Sequence, residues 1–89
     1  MPENYQLQLE RAAQRALPRL PARDYAQIER AIDGLAAEPR PRGALKLKGQ
    51  APTYRLRVGD FRILYAVFDR ERLVKVLDVK RRNEGTYRG

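Results

Sequence analysis

The stretch Tyr54-Arg-Leu-Arg-Val-Gly-Asp-Phe-Arg-Ile-Leu-Tyr65 constrains this chain more than any other, because apolar and cationic side chains alternate along it on both sides of a Gly-Asp pair. Glycine tolerates the positive φ that two-residue hairpin loops demand, so Gly59-Asp60 reads as a tight turn. That placement sets Val58 opposite Phe61, Arg57 opposite Arg62 and Tyr54 opposite Tyr65. Tyr54, Leu56, Val58, Phe61, Ile63, Tyr65 and Val67 then share one face, and Arg55, Arg57 and Arg62 share the other with Leu64, Ala66 and Phe68. A sheet with one apolar face needs a cover, and that cover has to come from helices elsewhere in the chain.

The first forty residues supply it. Tyr5, Leu7 and Leu9 alternate with Asn4, Gln6 and Gln8, a short strand with one buried face. From Glu10 the spacing turns helical, with Ala12, Ala13, Ala16, Leu17 and Leu20, and Pro18 and Pro21 end that helix. Tyr25, Ile28, Ile32 and Leu35 recur at steps of three and four and predict a second helix from about Ala22 to Glu38, stopped by Pro39 and Pro41. The two helices read as an antiparallel hairpin. Leu45 and Leu47 alternate with Lys46 and Lys48 between Gly43 and Gly49, which predicts a strand with a cationic outer face. Leu73 to Val79 is a further apolar strand, entered through the polar Asp69-Arg-Glu-Arg72 turn, and it delivers Lys80 and Arg81 at its exit. The expected fold class is α+β: β-α-α followed by an antiparallel meander of three or four strands, helices on one face, in one domain spanning 1–89.

Charge is zoned along this plan. Residues 1–39 carry five Arg against six Asp or Glu, whereas residues 40–89 carry fourteen Lys or Arg against five acids, so the net charge of +8 belongs to the sheet and its tail, Lys80-Arg-Arg-Asn-Glu-Gly-Thr-Tyr-Arg88. Such zoning points to a polyanionic partner meeting one side of the molecule. With 89 residues there is room for one modest core, so a large substrate is met on the surface. The chain has no Cys and no His, which excludes thiolate nucleophiles, the usual zinc sites, Ser-His triads and imidazole acid-base chemistry. No apolar run approaches the roughly 18 residues a membrane helix needs, and no signal-peptide pattern is visible, so the expected location is the cytoplasm.

Arg57 and Arg62, opposite one another, repel, and like charges facing across a strand pair are destabilising unless something compensates. A phosphate can do so, since guanidinium groups offer paired donors at a spacing that a sheet fixes. The plainer reading is that both splay into water or pair with Asp60 or Asp78. The carboxylates are dispersed, which disfavours two-metal phosphodiester cleavage. RNA offers another route, because its own 2′-hydroxyl can attack the adjacent phosphate once aligned, deprotonated and matched to donors for the phosphorane and the leaving oxygen. Arg, Lys and Tyr can supply those roles, and Tyr87 offers a face for stacking a base or, equally, for covering the edge of the core.

Leu45-Lys-Leu-Lys-Gly49, Tyr54 to Tyr65 and the Arg81 to Tyr87 tail, in this element order, resemble the RelE-type toxins of the RelE/ParE toxin-antitoxin superfamily over nearly the whole chain. The resemblance implies a ribosome-dependent endoribonuclease that cuts messenger RNA by the 2′-hydroxyl route with no metal or other cofactor. It implies that Arg62 stabilises the transition-state phosphate, that Arg81 is the general acid and that Tyr87 stacks on the message. Where RNA-cleaving relatives can have a strand lysine as general base this chain has Arg55, and Thr53 falls where a second lysine can occur. Arginine keeps its proton and is a poor acceptor, so Lys46, Lys48 and Lys80 stay open as bases, Lys80 being beside the expected site. Lys46, Lys48, Arg57, Arg82 and Arg88 are the expected phosphate contacts.

Two other readings of the same residues differ in class. One is a gyrase poison of the ParE kind, an interaction protein with no chemistry of its own; the other is a basic RNA- or ribosome-binding module that needs only the phosphate contacts. For a toxin the expected partners are messenger RNA, the ribosome and a cognate antitoxin in a hetero-oligomer, with no membrane.

Overall fold

The computed structural model describes residues 4–49 and 52–82. The chain forms β1 (Gln6–Leu9), α1 (Arg11–Ala16), a 3-10 turn (Leu17–Arg19), α2 (Ala22–Gly34), β2 (Leu45–Lys46), β3 (Thr53–Val58), β4 (Phe61–Phe68) and β5 (Leu73–Arg81). Pro18 sits at the start of the 3-10 turn, where its missing N–H costs nothing, and it ends α1 as its position predicts. Among the described residues no helix is long and apolar enough to cross a membrane.

Strands β2 to β5 form the expected meander, and the hairpin has the register read from Gly59-Asp60: Val58 faces Phe61, Arg57 faces Arg62 and Tyr54 faces Tyr65. Gly59 has φ of 62°, the region that an L side chain disfavours, which is why glycine occupies it. The strand order is β1-β5-β4-β3-β2, and β1 pairs in parallel with β5, Gln6 beside Leu73 through Leu9 beside Val76. The first and last strands are therefore neighbours. Tyr5 N–H to the Ala36 carbonyl at 2.7 Å and Glu10 N–H to the Val76 carbonyl at 2.9 Å tie down the two ends of β1.

The helices cover one face only. Ala13 from α1, Ile28 and Ile32 from α2, and Leu35 just beyond it pack with Leu56, Phe61, Ile63, Tyr65, Val67, Val74, Val76 and Val79 in one buried cluster. A bulge in β5 makes this set possible. Leu64 faces Asp78 but Tyr65 faces Val76, so Leu77 is the extra residue. It brings Val79, opposite Ile63, into line with Val74 and Val76 on the helix side. The Asp78 carboxylate accepts the Val79 N–H at 2.8 Å beside the irregularity.

Three sequence expectations are corrected. The α2 helix ends at Gly34 and not at Glu38, because Leu35, Ala36 and Ala37 bond back three residues, to Ile32, Asp33 and Gly34, and the last turn tightens. Tyr25, expected on the buried stripe, is 37% exposed. The strand expected over Gly43–Gly49 shrinks to two residues and its faces are reversed. Lys46 pairs with Tyr54 and so lies on the helix side, while Leu45 pairs with Arg55 on the open face and is 53% exposed.

The segment after α2 is clasped to the sheet rather than merely broken by proline. Arg40 donates from Nε to the Tyr54 hydroxyl at 2.9 Å and from an Nη to Asp69 at 2.7 Å, and Tyr5 donates its hydroxyl to the other Asp69 oxygen at 2.6 Å. The Arg40 and Tyr5 donors hold the Asp69 carboxyl below the ordinary value of 3.8. A carboxyl lowered in the folded state stabilises above its unfolded value and loses that contribution as pH falls through the folded one. Urea midpoints of the native protein and Asp69→Asn should therefore differ at neutral pH and converge below about pH 3.8. A gap that stays constant into acid would remove the charge from the account. The effect is small, since this is a surface pair.

Candidate functional site

The end of the sheet opposite the Arg40 clasp gathers the cations. Cross-strand partners share a face, so Arg57 on β3, Arg62 on β4 and Lys80 on β5 form one row on the open side of the sheet. Arg55 lies in the next row, between Leu45 and Leu64, with Asp78 beyond Leu64. Thr53 is further along, opposite Ala66.

Two backbone features shape the rim beyond this row. Arg82 donates its N–H to the Asp60 carbonyl at 2.7 Å, so the residue after β5 is held against the β3–β4 turn. Its own carbonyl accepts an Arg62 Nη–H at 2.6 Å. One arm of the Arg62 guanidinium is thus spent on fixing its position, which a charge-assisted bond does well. Arg81 pairs with Phe61 and therefore points to the helix side, where its guanidinium carbon lies 4.9 Å from the Phe61 ring centre. Asp60, Arg62, Arg81 and Arg82 line a concavity of about 520 Å³. Three arginines and one aspartate thus border this concavity.

The residues expected at the site divide accordingly. Arg57, Arg62, Lys80, Arg81 and Arg82 come together at the exit of β5, with Arg81 on the rim between the two faces. Arg55 stands one row away. Lys46 is directed to the helix side beside Tyr54, and Lys48 falls in the turn after β2, outside the row. Tyr87 and Arg88 lie outside the described residues. Among the described residues no group of three carboxylates is placed to hold a metal ion.

Sequence reading passed over Arg15 and Arg19. They line a second concavity, between α1, the 3-10 turn and the end of β5, that also includes Arg81. The available signal was a pair of arginines four apart beside small alanines, in the half of the chain where charge otherwise balances.

The described residues thus form a helix-covered five-stranded sheet whose β5 exit carries a cationic rim. The family model described as ParE toxin of type II toxin-antitoxin system, parDE, matches residues 7–85. The chain belongs to this family, within the RelE/ParE superfamily, and is a toxin of a toxin-antitoxin system. In the archaeal RelE-RelB complex from Pyrococcus horikoshii, a similar chain is 31% identical with a TM-score of 0.81, over 92% of this chain and 99% of that one. In the toxin-antitoxin complex RelBE2 from Mycobacterium tuberculosis, another is 32% identical with a TM-score of 0.76, over 92% and 95%. A protein of Methanocaldococcus jannaschii, provisionally named toxin RelE1, is 28% identical over 87 residues, 94% of this chain and 96% of its own.

Proposed function

We propose that this toxin is a ribosome-dependent messenger RNA endoribonuclease that works by 2′-hydroxyl attack. The observation that carries the reading is the convergence of Arg62, Arg81 and Arg82 on one concavity, with Lys80 beside Arg62 in the same row. In the reaction the 2′-oxygen bonds to phosphorus as its proton leaves to a base, and the bond to the 5′-oxygen breaks as that oxygen gains a proton. The products are a 2′,3′-cyclic phosphate and a free 5′-hydroxyl, so no metal-bound water is required. Arg62, positioned by the Arg82 carbonyl, takes the developing charge on the phosphorane. Arg81 meets the departing 5′-oxygen, as proton donor or as a fixed charge. Lys80 is the lysine best placed for the base, and Arg55 contributes charge from the neighbouring row. Arg57 and Arg82 are phosphate contacts of the message, and Tyr87 and Arg88 are assigned to the message on resemblance alone. Lys46 and Lys48 are left out of the reaction.

The partner follows from the family. Two of the similar structures are toxin-antitoxin complexes, and a cognate antitoxin that covers the cationic rim fits this chain's charge. Ribosomes as target place the action in the cytoplasm.

Primer extension on message incubated with the protein, with and without programmed ribosomes, tests the reading. Ribosome-dependent cuts are expected, falling about 10²–10³-fold in Arg81→Ala, the usual effect of removing one transition-state donor. The matched ParE family keeps a gyrase poison as the second reading. No cuts in any lane, together with blocked gyrase supercoiling, would favour that reading over ours.

A further inference from the structure

The second concavity, of about 510 Å³, lies on the helix side of the rim. It exists because β1 pairs with β5 only as far as Val76 and the chain then turns into α1, which leaves the end of β5 bordered by a helix in place of a strand. Ala12 and Ala16 line it from α1, and their small side chains leave width between the helix and the strand. Arg15, Arg19 and Arg81 border it, and Asp78 and Lys80 line it from the edge of β5.

We infer that this groove is a second phosphate subsite for single-stranded RNA, in which Arg15 and Arg19 hold the strand on the far side of Arg81 from the Arg62 concavity. The inference rests on the RNA reading above. Its first support is continuity. Arg81 lines both concavities, so a polyanion that engages Arg62 and passes over the rim enters the groove without leaving cationic surface. Its second support is the arginine pair. Arg15 at the end of α1 and Arg19 at the end of the 3-10 turn are both exposed and border the same groove, so two like charges face one space. A strand with a phosphate at each repeat can meet both charges. An acidic protein segment is the competing occupant, since guanidinium forks match carboxylate as well as phosphate; what favours RNA is the continuity of the groove with the Arg62 concavity through Arg81.

The experiment is a titration of each protein into a labelled single-stranded RNA with every 2′-hydroxyl methylated, which binds but cannot be cut, repeated across a salt series. Each phosphate contact contributes about 0.7 to the slope of log affinity against log salt for a single strand. Arg15→Ala/Arg19→Ala is expected to lower the slope by about 1.4 and Arg62→Ala by about 0.7, with the two losses adding. Arg23→Ala/Arg30→Ala removes the same charge from exposed positions on α2 and should leave the slope near native, which separates contact from net charge. A native slope in the Arg15/Arg19 variant beside a reduced one in Arg62→Ala would overturn the subsite and leave the reading of the Arg62 site standing. Native slopes in both would count against both. If the Arg15/Arg19 variant binds RNA normally but loses affinity for the purified antitoxin, the groove belongs to the protein partner and the subsite is refuted.

Discussion

Arg62→Ala is expected to slow ribosome-dependent cleavage about 10²–10³-fold while the protein stays folded. The rate loss follows from where charge develops. A phosphorane carries more negative charge than the diester it comes from, and a guanidinium held rigidly beside it stabilises the transition state more than the ground state. Rigidity here comes from the bond to the Arg82 carbonyl, which sits where it does because Arg82 N–H is fixed to the Asp60 carbonyl. Arg62→Lys should therefore recover only part of the rate, since an ammonium cannot fork between a carbonyl and a phosphate. Retention of the fold follows from the row itself. Alanine at 62 relieves repulsion with Arg57 and Lys80, which offsets the lost bond. Quantified cuts in a primer-extension time course, read beside circular dichroism, test both halves. Native cleavage by a folded Arg62→Ala protein would end the assignment.

Tyr65→Ala is expected to cost about 3–5 kcal/mol, a large part of the roughly 5–15 kcal/mol that holds a small domain together. The Tyr65 side chain is fully buried, stacks on Tyr54 with ring centres 5.7 Å apart, and donates its hydroxyl to the Pro39 carbonyl at 2.8 Å. It joins the sheet to the segment after α2. Tyr65→Phe keeps the ring but orphans that carbonyl, for about 1–3 kcal/mol. Urea unfolding read by far-ultraviolet circular dichroism ranks the three proteins, and a phenylalanine variant as weak as the alanine one would show that packing is not the main term. Burial also pushes the Tyr65 phenol from its ordinary 10.0 up to about 12. A group raised in the folded state stabilises fully below its unfolded value and loses that contribution as pH rises through the folded one, so Tyr65 stabilisation should fade between about pH 10 and 12. Tyr65→Phe should lack that alkaline decline.

What could be read from sequence was what local chemistry dictates. The Gly59-Asp60 turn sets the hairpin register by itself, and with it the faces of Arg57, Arg62 and Tyr65. The same holds for the proline stop after α1. The parallel seat of β1 beside β5 was not legible, since it depends on contacts between residues far apart in the chain, and no local pattern in Gln6–Leu9 points to them. Lys46 lies on the opposite face from the one its alternation with Leu45 and Leu47 suggests, because Gly43–Gly49 looks like a free-standing strand while the sheet pairs only two of its residues. The α2 overshoot has the same origin: Leu35 is apolar at the right spacing, yet the backbone has already tightened beneath it. At the site, the pairing of Arg57 with Arg62 was legible from the turn, whereas the place of Lys80 beside them was not, because it depends on the bulge at Leu77. Nor was the part played by Arg15 and Arg19, because a helix surface in isolation does not reveal which strand end it will border.

The bulge at Leu77 has an effect that reaches past the core. A strand assigns its side chains to two sides in strict alternation, much as a reading frame assigns bases to codons, and Leu77 is a one-residue insertion in that frame. Upstream, Val74 and Val76 are in step with the core; without the insertion Lys80 and Arg82 would continue that step and turn inward, while Arg81 would turn out. With it, Lys80 joins the row of Arg62 and Arg81 is carried to the opposite side, where both concavities meet. The polarity of the rim is thus set by an apolar residue that carries no charge of its own. Deleting Leu77 would change no charge on the protein, yet it would exchange the sides on which its last cations stand.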